Sequence, residues 1–491
     1  MPRASLALCL ALLLPAAAAA QPIDQAGADA LRHDLQSWFA GMVGSNPAAP
    51  QERLRVTPDG DHFRVVLPFG DPASPAAISA DVRPQPDGRW SVDALRVPSE
   101  SRFTLRLPQP GGPPPHPMIP TQFDLHIGAQ HTTASIDPAL TAPSRLAADF
   151  ANVELDTDSA QQRREQYIDR YAVQVTLQPN QGRLDLVEHT SIDGWRSAAR
   201  VGDKPATGFG ADRILGIFRV DGIDPAHATA LVSAASGLLA TLPAAAAAQA
   251  QHGQLPLSPP QRAALRALIE SMRNIVTAVR GDETLDGVHL AVAGVGETTI
   301  QHVSMEMAGS APDGILHATL TIGLDGMTAG NVPPALRGLV PHHLELQPSV
   351  SGVSLAALTT LALAATDQNA DRAQLQADTA ALWAQGGVTV GLDSVDVDVG
   401  PAALHGHGSV HVTGPDQYEA HFRITATGVD GLMQRADGDP ALQRALPLLA
   451  MARGFARQQG DRLVWDIVSG PGGTTVNDVP LGGAGHHPDR R

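Results

Sequence analysis

The chain has 491 residues, 34 basic against 50 acidic side chains for a formal net charge of −16, 4% aromatics and one cysteine. That balance argues against a nucleic-acid partner, because neutralising phosphates needs clustered positive charge, and against electrostatic docking on anionic lipid. Few aromatics argue against carbohydrate platforms and against an outer-membrane barrel with aromatic girdles, and the length allows roughly two to four domains or one large elongated one.

Residues 1–20 read as an export signal. Arg3 is the only charge, Leu6 to Leu14 forms the apolar core, and Ala18-Ala19-Ala20 offers a small-residue cleavage site before Gln21. The predicted cut follows Ala20 and the expected location is the periplasm. Cys9 lies within the signal, so the expected mature chain has no disulfide, thiolate nucleophile or cysteine-ligated zinc. No later stretch reaches about 18 uninterrupted apolar residues, so no transmembrane anchor is expected after cleavage.

Ile23 to Val43 predicts an amphipathic helix with Leu31, Leu35, Trp38, Phe39 and Met42 on one side. The period then becomes two. Short runs at Phe63–Leu67, Ile78–Val82, Trp90–Val97 and Phe103–Leu107 alternate with turns such as Pro58-Asp59-Gly60, where proline fixes φ and glycine supplies a positive-φ position. Pro108 to Pro120 holds seven prolines and two glycines, which predicts a linker or boundary. Further strands are expected at Phe123–Ile127, Leu146–Leu155, Tyr171–Leu177 and Leu184–His189, with a charged helix over Gln161–Tyr167.

Strand-like Leu215–Val220 leads into Gly222-Ile223-Asp224-Pro225, where Asp224 can cap a helix and Pro225 fits its first position. Leu231, Val232, Ala235, Leu238, Leu239 and Leu242 make its stripe up to Pro243. A second helix takes Ser258 as cap and Ala264, Leu265, Leu268, Met272, Ile275 and Val276 as stripe, ending at Gly281. Strands resume at Val288–Val292, Val303–Met307, Leu316–Ile322 and Leu344–Val350, followed by a helix over Leu355–Gln385 whose stripe holds Leu355, Leu358 and Ala362. A last meander runs from Val388 to Ile424, then a helical region from Gly428-Val429-Asp430 broken at Asp437–Pro440, and a closing strand pair at Leu463–Val468 and Thr475–Leu481. The expected class is α+β: long, mostly antiparallel β-meanders with amphipathic helices packed on or closing the sheets. The expected segments are 1–20 (signal), 21–107, 121–281, 284–481 and a polar tail at 482–491.

Chemistry-bearing residues gather in that last meander. Asp396 and Asp398 face one way on the first strand, His405, His407, Ser409 and His411 share a side of the second, and Glu419, His421 and Arg423 share a side of the third. Turns at Gly400–Ala403 and Gly414-Pro415 set Asp398 opposite His405 and Asp396 opposite His407, where imidazole and carboxylate could share Zn²⁺ or Cu²⁺. Strict alternation also describes a solvated sheet face with charges paired across strands. His342-His343 and His486-His487 read as surface pairs. Gly294 to Thr299 lacks the Gly-Lys-Ser/Thr end of a phosphate loop and reads as a hairpin turn. Glu154, Asp156 and Asp158 read as loop and cap residues. The hydrolase signatures Gly-x-Ser-x-Gly, His-Glu-x-x-His and Ser-x-x-Lys are missing, Lys204 being the only lysine.

From Gly391-Leu392-Asp393 to the end, the chain resembles an exported bacterial family known as domain of unknown function 2125. The likeness rests on the strand hairpin, the Gly428-Val429-Asp430 turn into a helix and the closing Val476-Asn477-Asp478-Val479-Pro480-Leu481. It extends back, more weakly, through Pro333–Leu346. More loosely, the chain is similar in style to AsmA-type proteins, whose long curved sheets offer an apolar groove to lipids. It departs from them in losing its one apolar segment on export. The resemblance implies an envelope setting and assigns no functional residue.

The function expected from these features is a non-enzymatic envelope protein that holds a hydrophobic or lipid-like ligand between sheet and helices, with no cofactor. The groove would be lined by Leu231, Leu238, Leu242, Leu265, Leu268, Leu355 and Leu358, small smooth side chains that equally suit plain helix-on-sheet packing. The alternatives are metal binding on the His405–His421 face and a protein scaffold that uses sheet edges for strand addition.

Overall fold

The computed structural model describes residues 22–481 except 44–53, 70–75, 87–88, 109–117, 138–141, 161, 203–206, 229, 232–233, 236–237, 239–257, 274, 293–295, 333–336, 367–370, 384–385, 415–416, 438–442 and 444–445. The signal expected at 1–20 and the pair His486-His487 lie outside the described residues. The chain divides into two compact units, 1–277 with 366–368, and 278–365 with 369–491. Its strands pair antiparallel throughout, and it is mostly β with some helices. Among the described residues no helix is long and apolar enough to cross a membrane.

In the first unit, α1 (Gln25–Val43) starts where Asp24 Oδ1 accepts the Gly27 N–H at 2.8 Å. Its Leu31 and Leu35 are buried, while the side chains of Trp38, Phe39 and Met42 lie outside the described residues. A meander follows, of β1 (Arg55–Asp59), β2 (His62–Phe69), β3 (Ala76–Pro84) and β4 (Trp90–Arg96). Long β6 (Met118–Asp137) pairs with β5 (Glu100–Pro108) at one end and with β4 at the other, so strand pairing bridges the proline-rich stretch. Then come β7 (Ala142–Ser159), β8 (Gln162–Asn180), β9 (Arg183–Val201) and β10 (Thr207–Ile223), each paired to the next. The core sits where α1 and the meander meet one end of these strands: Phe63, Leu31, Ile136 and Leu146 are fully enclosed, with Phe63 against Trp90 at 6.2 Å between ring centroids.

Two expectations fail in this unit. Of the helix expected over Gln161–Tyr167, the described residues 162–167 are not helical. From Gln162 on they are the start of β8, where Arg163 lies opposite Asp158 and Arg164 opposite Thr157, so the ladder with β7 takes up the backbone hydrogen bonds that a helix would otherwise make. For the same reason Glu154, Asp156 and Asp158 lie within β7, not in a loop. The second helix, α2 (Pro259–Ser271), has its Ser258–Gln261 capping box but stops ten residues before Gly281. The segment beyond it is claimed by β10: the Asp224 N–H donates to the Ile275 carbonyl (2.8 Å) and the Thr277 N–H to that of Asp221 (3.0 Å). Asp224 caps the expected helix, which is seen at 225–228 and in the further described residues up to 238, its Oδ1 accepting the N–H groups of Ala226 and His227.

A line of interrupted pairing crosses β6 to β10 at Gly128, Asn152, Asp169, Gly194 and Asp212, with Asn152 (φ 52°) and Gly194 (φ 62°) left-handed. On β7 the apolar positions change parity across it, from Leu146, Ala148 and Phe150 to Val153 and Leu155. A residue out of the β region resets the alternation, and Ile127 and Ala211, past the line, are still buried.

The second unit is a sheet in the order β11 (Ala278–Val292), β12 (Gly296–Ser310), β13 (Ile315–Asp325), β15 (Pro341–Ser354), β16 (Val388–Val399), β17 (Ala402–Gly414), β18 (Gln417–Thr427), β20 (Arg462–Gly470), β21 (Gly473–Val476) and β22 (Val479–Pro480). Short β14 (Thr328–Ala329) pairs with β12 and β19 (Arg457–Gln459) with β20. Val292 faces Gly296, so β11 and β12 are consecutive antiparallel strands and residues 296–299 belong to β12. The expected helix over Leu355–Gln385 is two, α3 (Leu355–Ala365) and α4 (Arg372–Trp383), packed together between β15 and β16. Between β18 and β19 come α5 (Val429–Asp437) and α6 (Leu446–Phe455).

Gly428, at φ 68°, makes the turn from β18 into α5, and a Cβ there would lie 1.9 Å from the Pro401 carbonyl oxygen. Gly428→Ala therefore combines left-handed strain with a backbone clash. A loss of about 1–3 kcal/mol is expected in urea unfolding of the variant, and an unchanged midpoint would contradict the geometry.

Candidate functional site

The second unit's sheet has two chemically distinct faces, both set by alternation. On the polar face the register differs from expectation. The β16–β17 turn is only Gly400-Pro401, with Val399 opposite Ala402, so Asp396 lies opposite His405, and Asp398 lies between Ala403 and His343. The tighter turn shifts every pair by one rung. Asp396 bonds His405 Nδ1 and accepts the Ser394 hydroxyl, and both hold its carboxyl below the usual carboxylate range. His407 faces Arg423, His411 Nδ1 lies 3.0 Å from Thr389 Oγ1, and His421 faces Ser409. Thus the six residues expected as metal ligands share one face but each meets a different partner. Among the described residues no three His, Cys, Asp or Glu side chains are grouped so as to hold a metal ion. An open strand face spreads side chains apart, whereas a tetrahedral site needs them to converge.

What that face does contain is a cross-strand row, Asp286–His302–Asp325–His343–Asp398, alternating carboxylate and imidazole over five strands. His302 Nδ1 lies 2.7 Å from Asp286 Oδ1, and His343 Nδ1 lies 2.6 Å from Asp325 Oδ1. Sequence reading missed this row because its members are spread over more than a hundred residues and meet only through register; His342, by contrast, is exposed as expected of a surface histidine. The Asp325 hydrogen bond raises the His343 pKa above the ordinary 6.5, with Asp398 and Glu345 adding to it. A histidine with a raised folded-state value contributes stability that is complete below 6.5 and is lost as pH climbs through the raised value. The wild type should therefore gain stability, by under about 1 kcal/mol for so open a pair, between pH 8 and pH 6. His343→Gln should flatten that gain in denaturant midpoints at the two pH values.

The opposite face is apolar. Met305, Ile322, Leu346, Val395, Gly406, Ile424 and Trp465 are successive cross-strand neighbours over seven strands. Val303, Leu324, Leu344, Val397, Leu404, Ala426 and Leu463 form the adjacent row. At about 4.8 Å per strand these rows span about 29 Å. In the first unit the equivalent apolar side chains of β7 and β8, Leu146, Ala148, Val173 and Val175, are buried. Here Val303, Met305, Ile322, Leu324, Leu344, Leu346, Val395 and Val397 are only half-buried, and Met307 (44%), Val390 (51%) and Leu404 (36%) are exposed.

The helix residues expected to line a groove come from both units. Leu231, Leu238, Leu265 and Leu268 belong to the first unit and are half-buried; Leu355 and Leu358 belong to the second, with Leu358 exposed; Leu242 lies outside the described residues. The open apolar surface is on the strands.

Residues 276–484 match the model of a family described as an uncharacterized protein conserved in bacteria, DUF2125. No curated protein and no solved structure matches the chain. The DUF2125 match reaches back well beyond Pro333, where the turn and cap motifs fade, and takes in β11 to β22. Both faces described above therefore lie inside the DUF2125 segment.

Proposed function

We propose that this is an exported, non-enzymatic envelope protein of the periplasm that holds a lipid-like ligand against the apolar face of its second unit. The single observation that carries the reading is that face: rows seven strands wide, of which the central side chains are half-exposed. Its strands β12 to β16 contribute Val, Leu, Ile and Met and no aromatic ring, a lining suited to flexible aliphatic chains, with Met305 and Met307 able to adapt to irregular shapes. Those rows hold no charged side chain, so a polar headgroup would remain in water. This reading rests on the strands, not on the helix stripes, and the metal reading gains no support from histidines that each meet a different partner.

Titrating the mature protein with a dansyl-labelled fatty acid tests this. Saturable binding with a blue-shifted emission, displaced by unlabelled palmitate, is expected. Emission that stays at its aqueous wavelength up to high micromolar probe would overturn it.

A further inference from the structure

The only cysteine of the chain is Cys9, so from residue 10 on the methionine thioether is the side chain most readily oxidised. Met305 and Met307 stand two apart on β12 and so share its apolar face. Met305 lies between Glu283 of β11 and Ile322 of β13, and Met307 between Gly281 and Leu320. Gly281 contributes no side chain on its flank, and Met307 is 44% exposed where Met305 is half-buried. Met272, after α2 in the first unit, and Met451 on α6 are exposed as well, by 58% and 56%, but neither belongs to these strands.

A thioether packs well against aliphatic chains, and its sulfoxide does not. Hydrogen peroxide delivers one oxygen atom to such a sulfur. A sulfur lone pair attacks the peroxide, and the S–O bond forms as the O–O bond breaks. The sulfur gives up two electrons, and the proton of the transferred oxygen passes to the departing hydroxide, which leaves as water. The product carries an S=O dipole that accepts hydrogen bonds from water. An aliphatic chain laid over it would strip those waters and offer no donor in return.

We infer that Met305 and Met307 are an oxidation switch on the apolar face: hydrogen peroxide converts Met307 first and Met305 more slowly, and the face then releases its aliphatic ligand. The switch rests on the ligand reading above. The test treats the mature protein with hydrogen peroxide, locates added oxygen by peptide-mapping mass spectrometry and repeats the dansyl fatty-acid titration on the same sample. Met307 should gain an oxygen ahead of Met305, the melting curve should be unchanged, and affinity should fall roughly tenfold. Methionine sulfoxide reductases, one for each epimer, should restore it. Palmitate added before the peroxide should slow oxidation of Met305 and Met307 and leave Met272 at its former rate. In Met305→Leu/Met307→Leu, whose leucines keep the volume and cannot be oxidised, peroxide should not lower whatever affinity the untreated variant has, although Met272 and Met451 still gain oxygen. The switch is overturned if oxidised wild type binds as tightly as untreated, or if Met307 stays unmodified while Met272 is oxidised. It is equally overturned if peroxide weakens the double variant as much as wild type, or if oxidation unfolds the second unit. An untreated protein that binds no fatty acid would instead sink the ligand reading, and the switch with it.

Discussion

Ile322→Asp is expected to abolish fatty-acid binding while leaving the protein folded. Ile322 sits between Met305 and Leu346 in the centre of the apolar face, so a carboxylate there lies under any chain that crosses the rows. Removing an aliphatic ligand from such a surface costs the affinity that burying several methylenes supplies, about 0.8 kcal/mol each; a loss of more than tenfold is the minimum. Because Ile322 is only half-buried, its aspartate stays hydrated, and the expected stability loss is about 1–3 kcal/mol. The check is the dansyl fatty-acid titration run beside urea unfolding of the same sample. A variant that unfolds outright would mean that the face is a packed core, and one that binds as wild type would place the ligand elsewhere.

The contrast is Phe63→Ala in the first unit. Phe63 has no exposed surface, packs against Trp90 and belongs to the same buried cluster as Leu31, Ile136 and Leu146. Truncating it removes its transfer free energy and leaves a cavity, together about 3–5 kcal/mol. Urea unfolding should show the first unit's transition lost or moved far to lower denaturant, with fatty-acid binding by the second unit retained. A loss under about 1 kcal/mol would contradict the core assignment.

These two sites also mark what the sequence made legible. Period-two and period-3.6 stretches separated cleanly, so α1, the Asp224 and Ser258 caps and the strand meanders are found where their residues predict them. Lengths were less legible. Strands such as β8 continue through charged residues because the strands on both sides take up their backbone hydrogen bonds, and α2 gives up its last stretch to pairing with β10. Both are tertiary effects that no local window contains. At the candidate site, alternation correctly placed His405, His407, His411 and His421 on one face. The register did not follow, since it turned on whether the β16–β17 turn held two residues or four. The apolar face was visible as strings of Val, Leu and Ile. That it is half-open could not be read, because exposure depends on what covers a sheet, and the same leucines serve a closed core equally well.

The central claim, that the second unit's apolar face holds a lipid, is tested most directly by native mass spectrometry of the protein purified from the periplasm, followed by solvent extraction and lipid analysis. The expected result is a mature chain beginning at Gln21 that carries bound mass in the range of acyl lipids, released as lipid on extraction and missing from Ile322→Asp. A wild-type protein of bare polypeptide mass with an empty extract would contradict it.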